Sequence, residues 1–268
     1  LDEILTVAAV DPLQKIFRES SFFPQENAVA ATARGEYASL QFAVRASKNI
    51  RNLSVQVEPI VCGQAILKGV TSRFVGHVKI SRREPDPSHD RLFSLSGYFP
   101  DPLLEMNAIE VPRENTQPVW ITVPVPQDAT PGKYEGKVTF SGIIGGKPFR
   151  LSRPVTVNVF PVRITGTRLW VTNWFDTDPG TLQMLNEGQP PEKFSLRYWE
   201  ILRLLARKMK AYRQNVAWVH PLNTVKFTQD GNRWAFDFAD FDKTVSLLIE
   251  EGVIGRIEGG HIGGREST

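Results

Sequence analysis

The chain has 268 residues, of which 41% are hydrophobic, 23% charged and 10% aromatic, with a formal net charge of +3. That mixture excludes disorder for most of the length, because disorder needs low hydrophobicity and high net charge. So small a basic excess marks no nucleic-acid surface, and no run of about 18 uninterrupted apolar residues occurs, so no membrane span is expected.

Residues 1–163 read as antiparallel β structure, from period-2 alternation between turn signals. Leu40, Phe42 and Val44 share one face of a strand. Apolar and polar residues alternate without a slip from Leu53 to Glu58. Val119, Ile121, Val123 and Val125 face one way, with Trp120, Thr122 and Pro124 on the other side. Pro124 cannot donate to a ladder, so that end is expected at an edge or a bulge. A turn over Asp128-Ala129-Thr130-Pro131-Gly132 leads to a return strand through Tyr134 and Lys137–Phe140. Gly145-Gly146 is a tight connection, and Val155–Val159 closes the set. Short strands at this spacing argue for a two-sheet sandwich. Residues 82–118, with Pro85, Pro87, Pro100, Pro102 and Pro112, read as a loop-rich insertion.

From residue 164 the pattern changes to strand, helix, strand, helix, strand. Arg168–Thr172 is an apolar strand, followed by a polar loop over 176–194. Ser195 caps a helix to about Arg213, with an apolar stripe of Trp199, Leu202, Leu205, Ala206, Met209 and Tyr212. Asn215–Val219 is the next strand. A hairpin turning at Asp230-Gly231 joins Val225–Phe227 to Trp234–Phe236. A second helix spans about Phe238 to Glu251, with Phe241, Val245 and Leu248 on one face and Gly252 as C-cap. Val253–Ile257 begins a third strand. This is a parallel α/β pattern over 164–268, and a (β/α)₈ barrel needs eight such units. The expectation is therefore a multidomain chain: an antiparallel β-sandwich over 1–163, then the first units of an incomplete barrel over 164–268, as the N-terminal part of a longer protein.

Three segments carry a family resemblance. They are Tyr98-Phe99-Pro100-Asp101-Pro102-Leu103-Leu104, the run Gln117–Pro126 continuing through Ala129–Gly136, and Leu169–Phe175 followed by the Trp199 helix. In this order they resemble bacterial proteins of the glycoside hydrolase family 123 type, also described as domain of unknown function 4091. The resemblance implies a β-sandwich followed by a catalytic barrel. It implies a retaining exo-β-N-acetylgalactosaminidase whose substrate supplies its own acetamido group as nucleophile, outside the usual two-carboxylate scheme. In that family an adjacent Asp-Glu pair orients the acetamido group and protonates the leaving oxygen. The only adjacent Asp-Glu here is Asp2-Glu3, outside the barrel region, so the role is not transferred to it and the pair is expected beyond this chain. The chain begins at Leu1, with no initial Met and no basic region followed by an apolar one, so the expectation is a periplasmic or secreted bacterial protein whose signal peptide has been removed.

Barrel active sites collect at the C-terminal ends of strands. That rule selects Asn173 and Trp174 after the first strand, His220 after the second, and Glu258 and His261 after the third. Asn173 offers a hydrogen bond to a sugar hydroxyl and Trp174 a stacking face. His220 and His261 offer hydroxyl contacts, His261 within a Gly-rich stretch (Gly259, Gly260, Gly263, Gly264) that permits close approach. Glu258 reads better as an ion-pair partner of Arg256. The competing bland reading is a Trp in packing and histidines bonded to neighbouring loops.

Other motifs are demoted. The single Cys62 leaves no intrachain disulfide and no cysteine zinc site. His77, His89, His220 and His261 show no metal-ligand spacing. Gly259–Gly264 fails the dinucleotide spacing, so no cofactor or metal is expected. Arg203, Arg207, Lys208, Lys210 and Arg213 read as a solvated helix face. Two classes remain: a carbohydrate-active enzyme, or a non-catalytic glycan-binding or cell-surface sandwich module. The partner expected is a carbohydrate, with the α/β segment completed by the remainder of a barrel or by a second chain.

Overall fold

The computed structural model describes residues 4–19, 22, 24–81, 97–166 and 168–260. The chain divides into two compact units, residues 1–166 and 167–268.

In the first unit the strands run in chain order as β1 (Leu5–Val10), β2 (Ala28–Arg34), β3 (Tyr37–Ala46), β4 (Ile50–Val57), β5 (Ile60–Cys62) and β6 (Ala65–Leu67). They continue as β7 (Thr71–Ile80), β8 (Gly97–Leu104), β9 (Ile109–Val111), β10 (Thr116–Pro124), β11 (Gly132–Ile144) and β12 (Lys147–Arg163). A five-stranded sheet has the order β1-β3-β10-β7-β8. A seven-stranded sheet runs β2-β12-β11-β4-β9, with β5 on β11 and β6 on β5. The alternating apolar sets of both sheets share one core, in which the Phe42 and Phe140 rings meet edge to face at 5.3 Å. Burying each ring contributes about 1.5–3 kcal/mol. This is a β-sandwich, and mostly antiparallel. The exception is β2, which pairs parallel to β12.

Pro124 pairs with Tyr37 at the far end of the β10–β3 ladder, past Thr122, where the β7 ladder stops. Its missing donor therefore costs no bond. Gly145 and Gly146, at φ 58° and 80°, form the two-residue link from β11 to β12, a turn that favours positive φ.

The loop-rich insertion is corrected in part. Residues 82–96 lie outside the described residues, but Gly97–Leu104 and Ile109–Val111 are strands. Pro100 and Pro102 fit because β8 is an edge strand, which spares their absent N–H groups a ladder partner. A bulge at Val75/His77 receives them, and a Cβ on Gly76 would stand 2.9 Å from Pro102 Cγ. The outer face of β3 is also covered. Ala43 packs with Val10 and Ile16, and Gln41 donates through Nε2 to the Asp11 and Gln14 carbonyls at 2.9 and 3.0 Å.

In the second unit the elements are α1 (Pro179–Leu182), α2 (Leu196–Ala211), β13 (Val216–Trp218), α3 (Pro221–Thr224), β14 (Lys226–Asp230), β15 (Arg233–Asp237), α4 (Ala239–Glu250) and β16 (Arg256–Glu258). Ser195 caps α2, its hydroxyl accepting from the Tyr198 amide at 3.3 Å. Tyr198, Trp199, Ile201, Leu202 and Ala206 of α2 pack with Leu247 and Leu248 of α4. Tyr212 departs from the expected stripe and is 75% exposed, since the helix ends one residue before it. The hairpin turns over Gly231-Asn232 rather than Asp230-Gly231, with Asp230 opposite Arg233.

The expected strand Arg168–Thr172 does not form. Asn215 holds the segment instead: the Val171 amide donates to Asn215 Oδ1, the Val171 carbonyl accepts from the Asn215 and Val216 amides, and the Leu169 carbonyl accepts from Asn215 Nδ2. The Asn215 side chain takes the place of a backbone partner, so no ladder develops. The parallel sheet among the described residues is β13 beside β16, Trp218 lying opposite Glu258.

Candidate functional site

The two parallel strands end side by side, and the Val219 amide extends their pairing by one bond to the Glu258 carbonyl at 2.9 Å. Past that point each chain turns away. His220 starts α3, accepting on its carbonyl from the Thr224 hydroxyl at 3.0 Å. Gly259 and Gly260 follow β16, Gly260 at φ 72°. The close approach there needs glycine: a Cβ on Gly260 would stand 2.6 Å from Trp218 Nε1 and 2.7 Å from His220 Cδ2.

Trp174 joins this end from the loop before α1. Its indole is 69% exposed and stacks on Trp218 with centroids 6.4 Å apart and planes at 30°. Its Nε1–H donates to Glu258 Oε2 at 3.2 Å. Trp218 in turn meets His220 edge to face at 5.9 Å. Nδ1 of His220 is buried and has no hydrogen-bond partner among the described residues. Two aromatic faces, an imidazole and a carboxylate thus converge at paired strand ends.

Of the residues selected from sequence, Trp174 and His220 come together through Trp218. Asn173 has an exposed side chain, and its carbonyl accepts from Gln214 Nε2 at 3.4 Å. It lines, with Trp218, His220, Thr224 and Thr244, a small, partly open space of about 30 Å³. That volume holds about one water molecule and no sugar ring, so a glycan would meet the open surface above it. His261, like Asp2 and Glu3, lies outside the described residues. The Arg256–Glu258 ion pair is not formed: the Arg256 guanidinium lies over the Trp170 ring at 4.3 Å. Trp218 was read only as part of a strand; the signal available was its i, i+2 relation to His220, which puts both on one side.

The basic face of α2 is solvated, with Arg207, Lys208, Lys210 and Arg213 exposed. Arg203 binds Glu251 at 2.6 Å and Glu250 at 3.0 Å, and Arg207 binds Glu251 at 3.1 Å, so these cations tie α2 to α4. Hydrogen bonds from Arg203 and then Arg207 hold the Glu251 carboxyl below its usual pKa. Among the described residues no group of three or more His, Cys, Asp or Glu is placed to hold a metal ion. No helix there is long and apolar enough to cross a membrane.

Residues 18–142, within the sandwich, match the glycoside hydrolase 123 N-terminal domain. The N-terminal part of this chain is thus similar to the N-terminal domain of glycoside hydrolase family 123. A family 123 glycoside hydrolase from Clostridium perfringens, solved in a study of glycolipid glycan hydrolysis, superposes with a TM-score of 0.69 at 13% identity. The match covers 94% of this chain and 46% of that one, so the chain spans less than half the length of that enzyme. At that identity the likeness is one of fold. The CooA pilin subunit from enterotoxigenic Escherichia coli matches at a TM-score of 0.28 and 12% identity, over 57% of this chain and 97% of its own. That score is too low to bear on the fold. No curated protein matches the sequence.

Proposed function

We infer that this chain is the sandwich and the first β/α units of a catalytic (β/α)₈ barrel in a secreted or periplasmic glycoside hydrolase. The observation that carries the reading is the superposition of 94% of the chain on a family 123 hydrolase at a TM-score of 0.69, together with the domain match over 18–142. The reaction is release of a terminal β-linked N-acetylgalactosamine from a glycan, a glycolipid among the candidates, with retention.

The chemistry runs in two steps. The acetamido oxygen of the substrate attacks C1 while a Glu protonates the departing glycosidic oxygen, and a neighbouring Asp stabilises the oxazolinium. Water, deprotonated by the same Glu, then opens that intermediate. The adjacent Asp-Glu pair for these steps is not supplied by the barrel region of this chain. What the chain supplies is the surface at the ends of β13 and β16. The exposed Trp174 face, backed by Trp218, receives the apolar face of a pyranose. Asn173 and His220 meet its hydroxyls, and His261, outside the described residues, is the further candidate from the sequence. A barrel completed by further chain covers the exposed side of this unit.

The reading is tested with 4-nitrophenyl glycosides, including the β-N-acetylgalactosaminide and β-N-acetylglucosaminide, offered to the 268-residue chain and to the full gene product. Cleavage of the β-N-acetylgalactosaminide by the full product, with none by the 268-residue chain, is expected. Activity in neither favours the non-catalytic glycan-binding module, and activity in this chain alone means that the acid/base pair has been misplaced.

A further inference from the structure

Among the described residues Glu258 is a carboxylate with no cation partner. It is half-buried at the end of β16, and among the described residues its one side-chain hydrogen bond is to Trp174 Nε1, through Oε2 at 3.2 Å. The nearest cation in sequence is Arg256, two residues back and on the same side of the strand. That guanidinium is drawn away onto Trp170. Oε1 of Glu258 is left with no donor among the described residues, on a side chain that holds Trp174, whose ring stacks on Trp218. A carboxylate placed only to orient an indole needs one acceptor oxygen. A neutral glutamine oxygen would serve as well, without the cost of partly desolvating a charge. The second oxygen and the charge therefore call for a use.

We propose that Glu258 is a specificity-determining residue of this site, selecting uncharged pyranosides and rejecting those that carry a carboxylate or sulfate. It rests on the sugar-binding reading of the strand ends given above. Oε1 accepts a hydrogen bond from a ring hydroxyl of a sugar stacked on Trp174, a charge-assisted bond stronger than one to a neutral acceptor. The same charge repels an anionic group brought to that place, and repulsion of the wrong ligand is how such sites discriminate. Through Oε2 the residue also fixes the indole against which the sugar packs. Gly260 holds Trp218 and His220 close by leaving no Cβ between them. The matched chemistry is a neutral hexopyranoside with a free hydroxyl at its edge.

The test uses the 268-residue chain and two sugars that differ only at C6, methyl β-D-galactopyranoside and its uronate. Binding is followed by NMR through the indole N–H signals, with circular dichroism confirming the fold of each variant. Wild type is expected to bind the neutral sugar at least about tenfold tighter than the uronate. In Glu258→Gln the ratio is expected to fall below about threefold, because the repulsive charge is gone while an acceptor oxygen remains. Glu258→Asp, which keeps the charge, is expected to keep the preference with weaker binding overall. A residue that merely braced Trp174 would move both affinities together and leave the ratio alone. Equal binding of the two sugars by wild type, or an unchanged ratio in Glu258→Gln, overturns the proposal, and the wild-type ratio decides should the variant not fold. Binding of neither sugar also overturns it. The hydrolase reading stands or falls separately, on cleavage by the full gene product.

Discussion

Gly260 lies so close to Trp218 that a Cβ there would stand 2.6 Å from the indole Nε1. The contact joins the ends of β13 and β16, and the φ of 72° at Gly260 is one that side chains adopt at a cost of about 1 kcal/mol or more. Gly260→Ala must therefore push Trp218 and His220 apart. The sandwich is a separate unit and should be untouched. Expected are an altered Trp218 indole signal by NMR and weakened sugar binding, with unchanged melting of the first unit by calorimetry.

The sandwich has its own testable bond. Tyr134 is 1% exposed, and its hydroxyl donates to the Thr130 carbonyl at 2.8 Å, pinning the turn before β11. Burial, more than any other cause, pushes its phenol pKa up. Tyr134→Phe keeps the ring and strands the carbonyl. A loss of about 0.5–1.5 kcal/mol is expected in urea unfolding, the ordinary worth of one such bond. A neutral result would assign the packing to the ring alone.

His77 sets a pH response in the same unit. Burial holds its pKa below 6.5, opposed by the contact of Nε2 with the Ile16 carbonyl at 3.2 Å and reinforced by Arg18. A lowered base binds protons less in the folded state than in the unfolded one. The stability it protects is full above pH 6.5 and is lost as the pH falls through that value toward the folded pKa. Urea midpoints should drop between pH 8 and pH 5.5, and His77→Gln should flatten that part of the curve.

Glu251 gives the second unit a lower window. Its carboxyl is held below 4.5, first by Arg203 and then by Arg207. The contribution is present above pH 4.5 and is lost as the pH falls through the folded value. Glu251→Gln should loosen α2 from α4 at neutral pH, seen as faster amide exchange in both helices, and should remove the acid sensitivity of that exchange.

Where local physics dominates, the fold was legible. The alternation through Leu40, Phe42 and Val44 placed the core face of β3, and Ser195 marked the start of α2. Three features were not. The prolines of β8 read as loop because edge position depends on sheet order, which a local pattern does not contain. Arg168–Thr172 has strand composition, but Asn215 binds Val171 with its side chain and leaves no ladder to extend. Arg256 was expected on Glu258 from their spacing, and a Trp 86 residues earlier in the chain claims its guanidinium instead. The same holds at the site. Trp174 and His220 were reached from strand-end position, whereas their link through Trp218 and Glu258 depends on the parallel register Trp218↔Glu258, a long-range pairing.

The decisive measurement for a sugar surface at these strand ends is an NMR titration of this chain with methyl N-acetyl-β-D-galactosaminide, watching its six tryptophan indole N–H signals. The account predicts that Trp174 and Trp218 shift on titration while Trp120 and Trp234 stay fixed. Six unmoved signals at saturating sugar, or movement of Trp120 or Trp234 alone, would contradict it.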